Sequence, residues 1–169
     1  MRNEHKSPEL NDAALVQNSA MGAFFLWLFC RYYQQYKDGP PSITLAFLIL
    51  PLILHKATVT LICSTQKSSG IHLFSGKIGK QKEALLAIHA RALQLRPLTL
   101  ESLGMAEAAG LIEIEARTAK LIFKNIQSEF TTSLLPDELK KLTTCCDKLA
   151  YWFSESSEQQ IAKTLMVDF

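Results

Sequence analysis

The chain has 169 residues, 48% of them apolar and 20% charged, with a formal net charge of +2. That length supports one globular domain able to bury roughly 70% of its unfolded surface, and the composition excludes collagen-like, low-complexity and charge-disordered chains. So small a net charge excludes nucleic-acid binding by bulk charge alone. The four cysteines, Cys30, Cys63, Cys145 and Cys146, contain no CxxC pair, so neither a zinc ribbon nor a disulfide scaffold is expected and a reducing cytoplasm fits.

Residues 1–11 are polar and expected to fray. Asn11 and Asp12 offer N-caps for a helix over residues 12–36, stopped by Asp38, Gly39, Pro40 and Pro41. Ser42 can cap a second helix through Leu50, kinked or ended by Pro51, with further turns from Ala57 to Cys63. Residues 64–70 read as a loop, and residues 70–79, with three glycines, are ambiguous. Ala84, Leu85, Ile88, Ala92 and Leu95 share one helical face, and Pro97 is expected to end that helix. Thr99 is the expected N-cap of the next helix and Gly110 its C-terminal cap. Residues 111–115 and 120–124 alternate with period two, predicting a β-hairpin. Pro136, followed by Asp137 and Glu138, opens a helix through Phe153, and Ser156 or Ser157 caps a final one ending near Met166. The predicted fold is mainly α with one hairpin, a single domain without linker or repeat, divided into an apolar and basic helical part (12–96), a helix plus hairpin (97–124) and C-terminal helices (136–166).

Two runs are strongly apolar, 20–30 and 43–54, but both fall short of the ~20 residues that a membrane-spanning helix needs. The first populates every side of three helical turns, so it has no face for water. Since the second makes the same demand, part of this surface is expected to meet another chain, with Phe24, Trp27, Leu28, Tyr32, Tyr33, Trp152 and Phe153 as the candidate partner interface. The cysteines Cys30 and Cys63, inside apolar helices, are expected to be buried small hydrophobes.

Chemistry is sparse. His55, His72 and His89 have no second metal ligand at i+3 or i+4, and adjacent Cys145, Cys146 and Asp147 point about 100° apart on a helix. No GxSxG is present, Glu113 and Glu115 share an exposed strand face, and residues 76–80 lack the spacing of a phosphate loop. Neither enzyme activity nor a cofactor is expected. Charge, however, is segregated: residues 31–100 carry +7 and residues 101–169 carry −4. Lys77, Lys80, Lys82, Arg91 and Arg96 form the candidate basic surface toward phosphate or an acidic protein. The segment 97–124 has the outline of half a winged helix, which raises a DNA-binding regulator as the alternative function. Its helix over 99–109 bears Glu101 and Glu107 and no Lys or Arg, which argues against base reading.

Asn18, Ala20, Gly22, Ala23, Leu26 and Trp27, then Tyr33, Pro40 and Pro41, then Leu50, Pro51, Leu52, Leu54, His55 and Lys56 resemble the N-terminal signature of the middle component of bacterial three-component ABC systems. Leu95 to Thr99, Gly110 to Ile114, and the closing Leu149, Ala150, Trp152, Phe153, Ile161, Leu165 and Val167 are similar to the same family, so the resemblance spans residues 12–167. It implies a small non-catalytic adaptor, an obligate hetero-oligomer with an SMC/Rad50-like ABC ATPase and an effector, often a nuclease. Lamassu anti-phage and anti-plasmid defence systems are built this way; there the ATPase senses foreign DNA and the complex restrains the effector until then. The resemblance brings no catalytic residues.

Overall fold

The computed structural model describes residues 18–80, 82–125 and 135–168. Within them α1 spans Ser19–Tyr36, and Asn18 caps it by accepting the Met21 N–H on Oδ1 at 3.1 Å. The helix therefore does not run unbroken from residue 12, because Asn18 is extended; the caps expected at Asn11 and Asp12 lie outside the described residues. Lys37 leaves helical geometry and Gly39 takes φ +118°, which only glycine adopts without strain, so α1 stops at the predicted boundary.

Helix α2 spans Ile43–Ile53 and contains Pro51 in its last turn, and α3 spans Lys56–Cys63, bent 99° from it. Proline supplies no N–H for the ladder, which ends α2 within three residues. The loop that follows carries one 3-10 turn, Lys67–Ser69. The ambiguous glycine-rich stretch is helix α4, Gly70–Gly79, because Ile71, Phe74 and Ile78 recur at i, i+3 and i+7 and bury one stripe.

Helix α5 covers Lys82–Gln94 and α6 covers Arg96–Ala108. Leu85 and Ile88 of α5 turn inward, as their period predicts. Thr99 is not a cap: α6 already begins at Arg96, and Thr99 is buried with its hydroxyl donating to the Leu95 carbonyl at 3.0 Å. Pro97 sits in the first turn of α6, where its missing N–H costs nothing to the new helix while it interrupts the old one. Gly110 at φ +69° turns the chain into β1, Ile112–Glu115, which pairs antiparallel with β2, Lys120–Phe123, in the register Ile112 to Phe123 and Glu115 to Lys120. Helix α7 covers Asp137–Ser154, and α8, Glu158–Leu165, begins at a capping box between Ser157 and Gln160. The architecture is thus mainly helical, eight α-helices and one hairpin among the described residues.

Helix α1 is the central strut, flanked by α2, α6, α7 and β2. Phe25, Leu26, Leu28, Phe29 and Cys30 are wholly buried, and so are Ile49, Leu50 and Leu52 of α2. The two all-apolar helices therefore find most of their cover inside this chain. A helix with no polar face is stable only when surrounded, and α6 and α7 supply the missing walls. Gly22 allows α6 close in: a Cβ there would lie 2.1 Å from Ser102 Oγ. No single helix among the described residues is long and apolar enough to cross a membrane; only the bent pair α2 and α3 meets that criterion jointly, by length and composition.

Candidate partner interface

The aromatic residues singled out from the sequence hold the frame together. Trp27 is 2% exposed; its indole Nε1 donates to the Lys124 carbonyl at 3.3 Å and its ring lies 5.9 Å from Phe123, so it fastens α1 to the end of the hairpin. Phe153 meets Phe29 edge-on at 6.0 Å, and Phe29 meets Tyr33 at 5.7 Å. Trp152 stacks on Phe74 at 5.4 Å while its Nε1 donates to the Lys67 carbonyl at 2.7 Å. Trp27, Leu28, Tyr33, Trp152 and Phe153 are interior; Phe24 and Tyr32 are half-buried. Five of these seven side chains thus spend their apolar area within the chain, while Phe24 and Tyr32 keep part of theirs at the surface.

Two members of the basic set, Arg91 and Lys77, are drawn into the fold. Arg91 is half-buried, with Nε donating to the Pro51 carbonyl and a terminal nitrogen to Thr58 Oγ1, both at 3.3 Å; burial pushes its pKa down. Lys77 Nζ donates to the Ser64 carbonyl at 2.8 Å. Arg96 is exposed with its guanidinium 5.9 Å above the Phe47 ring, and Lys80 is exposed. The Lys82 side chain lies outside the described residues.

Two other lysines, unmarked in the sequence, do converge. Lys148 of α7 donates to the carbonyls of Ile62, Cys63 and Thr65 at 3.0, 2.9 and 2.7 Å, closing the C-terminus of α3. Lys67 bridges Asp147 at 2.8 Å and the Tyr36 hydroxyl, which itself donates to Asp147. Burial works to lower the Lys67 pKa, but the hydrogen bonds to Asp147 and Tyr36 outweigh it and the net shift is upward. Tyr36 is raised by burial first and by its bond to Asp147 second. No residue type announced this cluster, since its acceptors are mostly main chain.

Part of what remains outward is apolar. Leu86 (56% exposed), Leu93 (57%) and Leu100 (51%) stand seven residues apart, interleaved with exposed Ala90, Pro97 and Gly104. The spacing of four and three, repeated from 86 to 104, is that of a coiled-coil seam. At the junction Leu95 donates its N–H to the Arg91 carbonyl at 2.8 Å and its carbonyl accepts the Thr99 N–H at 2.9 Å, while its own φ −89°, ψ 4° separates α5 from α6 as two helices. Beside Leu93 opens a groove of about 170 Å³ walled by Phe47, Leu48 and Val167, with Arg96 at its rim.

A larger open groove of about 640 Å³, near Tyr33, Lys37, Lys120 and Glu158, mixes charges, and Glu158 there already accepts from Thr44 Oγ1 at 2.7 Å. Among the described residues no group of three or more His, Cys, Asp or Glu side chains could hold a metal ion.

No curated protein and no solved structure matches this sequence. One family model does, that of the ABC-three component (ABC-3C) system Middle Component 3, over residues 7–169. With nearly its whole length matched, the chain belongs to the family of middle components of ABC-3C systems.

Proposed function

We propose that this chain is the non-catalytic adaptor of a Lamassu-type anti-phage and anti-plasmid defence complex in the cytoplasm. It bridges an SMC/Rad50-like ABC ATPase and an effector nuclease and helps hold the effector inactive until foreign DNA is sensed. The family supports a role among several components. The observation that carries the adaptor reading is the leucine seam of α5 and α6. Three leucines, each about half exposed, would contribute about 1 kcal/mol apiece on burial against an apolar helix of a partner component. Monomers seldom leave such a stripe to water.

Coexpression of the chain with the other two components of its system tests this. Leu86, Leu93 and Leu100 changed together to Glu should abolish copurification of at least one component while leaving the thermal midpoint of the chain within a few degrees. Undiminished copurification by the triple variant, or no complex formed by the unaltered chain, would overturn the reading.

The winged-helix DNA-binding regulator is less well supported. The only base on α6 is Arg96, which leans on Phe47, and the outer face bears Leu100, Glu101 and Met105. DNA then meets the complex rather than this helix.

A further inference from the structure

Cys63 closes α3 and Cys145 lies midway along α7, and their Sγ atoms are 3.7 Å apart. Cys63 is exposed, against the expectation that it is a buried hydrophobe, because α3 ends at the surface there; Cys145 is wholly buried beneath it. Cys30 and Cys146 are also wholly buried, and the Cys146 Sγ faces the Phe25 carbonyl at 3.9 Å. Of four thiols, then, one meets solvent, and that one touches a second thiol on another helix.

We propose that Cys63 and Cys145 are a disulfide-forming pair, oxidised by a peroxide to an intramolecular bond that staples α3 to α7. A disulfide requires a sulfur separation near 2.05 Å, so the exposed Cys63 side chain must close about 1.7 Å. Burial foremost, and then the neighbouring Cys63, push the Cys145 thiol up, and with Cys145 buried and Cys63 exposed, Cys63 is the group that meets the oxidant.

In the first step the Cys63 thiolate attacks one peroxide oxygen. The O–O bond breaks and the departing hydroxide takes a proton to become water, leaving Cys63 as a sulfenic acid. In the second step the Cys145 sulfur attacks the Cys63 sulfur. The S–S bond forms, the S–O bond breaks, and the hydroxyl leaves with the Cys145 proton as a second water. Two thiols and one hydrogen peroxide give one disulfide and two waters, the sulfurs losing the two electrons that the peroxide gains. Lys148 already fixes the Cys63 carbonyl to α7, so the two sulfurs are held in register before any bond forms.

Treatment of the full chain with hydrogen peroxide, followed by intact mass measurement and non-reducing peptide mapping, tests this. The expected product is a monomer lighter by two hydrogens, with a Cys63–Cys145 linked peptide, two thiols still open to alkylation after denaturation, and a thermal midpoint roughly 10 °C higher that returns on reduction. The surface variant Cys63→Ser should show none of these changes. Oxygen added at Cys63 without a cross-link, a Cys63-linked dimer, a different cysteine pair, or an unreacted protein would each overturn the proposal.

Discussion

At Gly22 the helix α1 gives up a side chain so that Ser102 of α6 can approach. A Cβ at position 22 would meet Ser102 Oγ at 2.1 Å and its Cβ at 2.9 Å, and Leu50 at 3.3 Å. Gly22→Ala should therefore destabilise the protein by about 2 kcal/mol through overpacking, and Ser102→Gly should restore part of that loss. Denaturant melts of the two single variants and the double variant measure the coupling; simple additivity would show that the two helices do not clash there. Ser102 also carries a buried hydroxyl without a hydrogen-bond partner, a polar atom retained at a cost the fold does not otherwise recover. The sequence displays a glycine amid Ala20, Met21, Ala23 and Phe24, but the residue it makes room for lies eighty positions away, and no local pattern encodes that distance.

At the scale of elements, local chemistry made most boundaries readable. Gly39 with its two prolines, Gly110, Pro136 and Ser157 all act on their immediate neighbours, and each marks the end or start of an element. Thr99 misleads because a threonine can serve either as cap or as an internal residue bonded to the i−4 carbonyl, and the preceding proline decides between them. The seam on α5 and α6 was invisible for a different reason: Leu85 and Ile88 already account for one apolar face, and a helix with two such faces reads as having one. Helix α3 shows a pH-sensitive start. His55 is its N-cap, with Nδ1 accepting the Thr58 N–H at 3.3 Å, and burial first and the Arg91 charge second lower its pKa. The folded state thus holds fewer protons than the unfolded one as pH drops below the ordinary imidazole value of about 6.5. Stability contributed by the neutral cap is full above that value and is lost as pH falls through the lowered one. The thermal midpoint should decline more steeply from pH 7 to 5 in the unaltered protein than in His55→Asn, which keeps an acceptor but does not titrate. Parallel profiles would remove His55 from the pH response.

For the whole molecule, the sequence places the hydrophobic mass correctly. The two apolar helices serve the chain's own core, while the exposed leucines stand on a face whose residues look ordinary one by one. Part of the basic middle behaves alike: Lys77 donates to the carbonyl of Ser64, which caps α3, and Arg91 to that of Pro51. Because α1 touches α2, α6, α7 and the hairpin, these elements should unfold together. The two tryptophans report on different neighbours, Trp27 on Phe123 and Trp152 on Phe74. Fluorescence melts of Trp27→Phe and Trp152→Phe should each coincide with the circular-dichroism melt of the same variant. A tryptophan transition displaced from the helical one would instead divide the chain into independently unfolding parts.

The hairpin bears on how any such partner is engaged. Several of its outward groups are occupied: Leu121 N–H by the Pro41 carbonyl at 2.9 Å, Phe123 N–H by Gln34 Oε1 at 2.7 Å, and Ile114 N–H by Glu107 Oε1 at 3.0 Å, while the Ala119 carbonyl takes the Ile43 N–H at 2.8 Å. A further strand along β2 would have to displace the bonds to Pro41 and Gln34. Recruitment by β-augmentation, which relies on main-chain pairing and tolerates many sequences, is thereby disfavoured on that edge. Where the leucine face proposed above does the docking, recognition passes through side chains, and specificity within the assembly becomes a matter of which leucine meets which hollow.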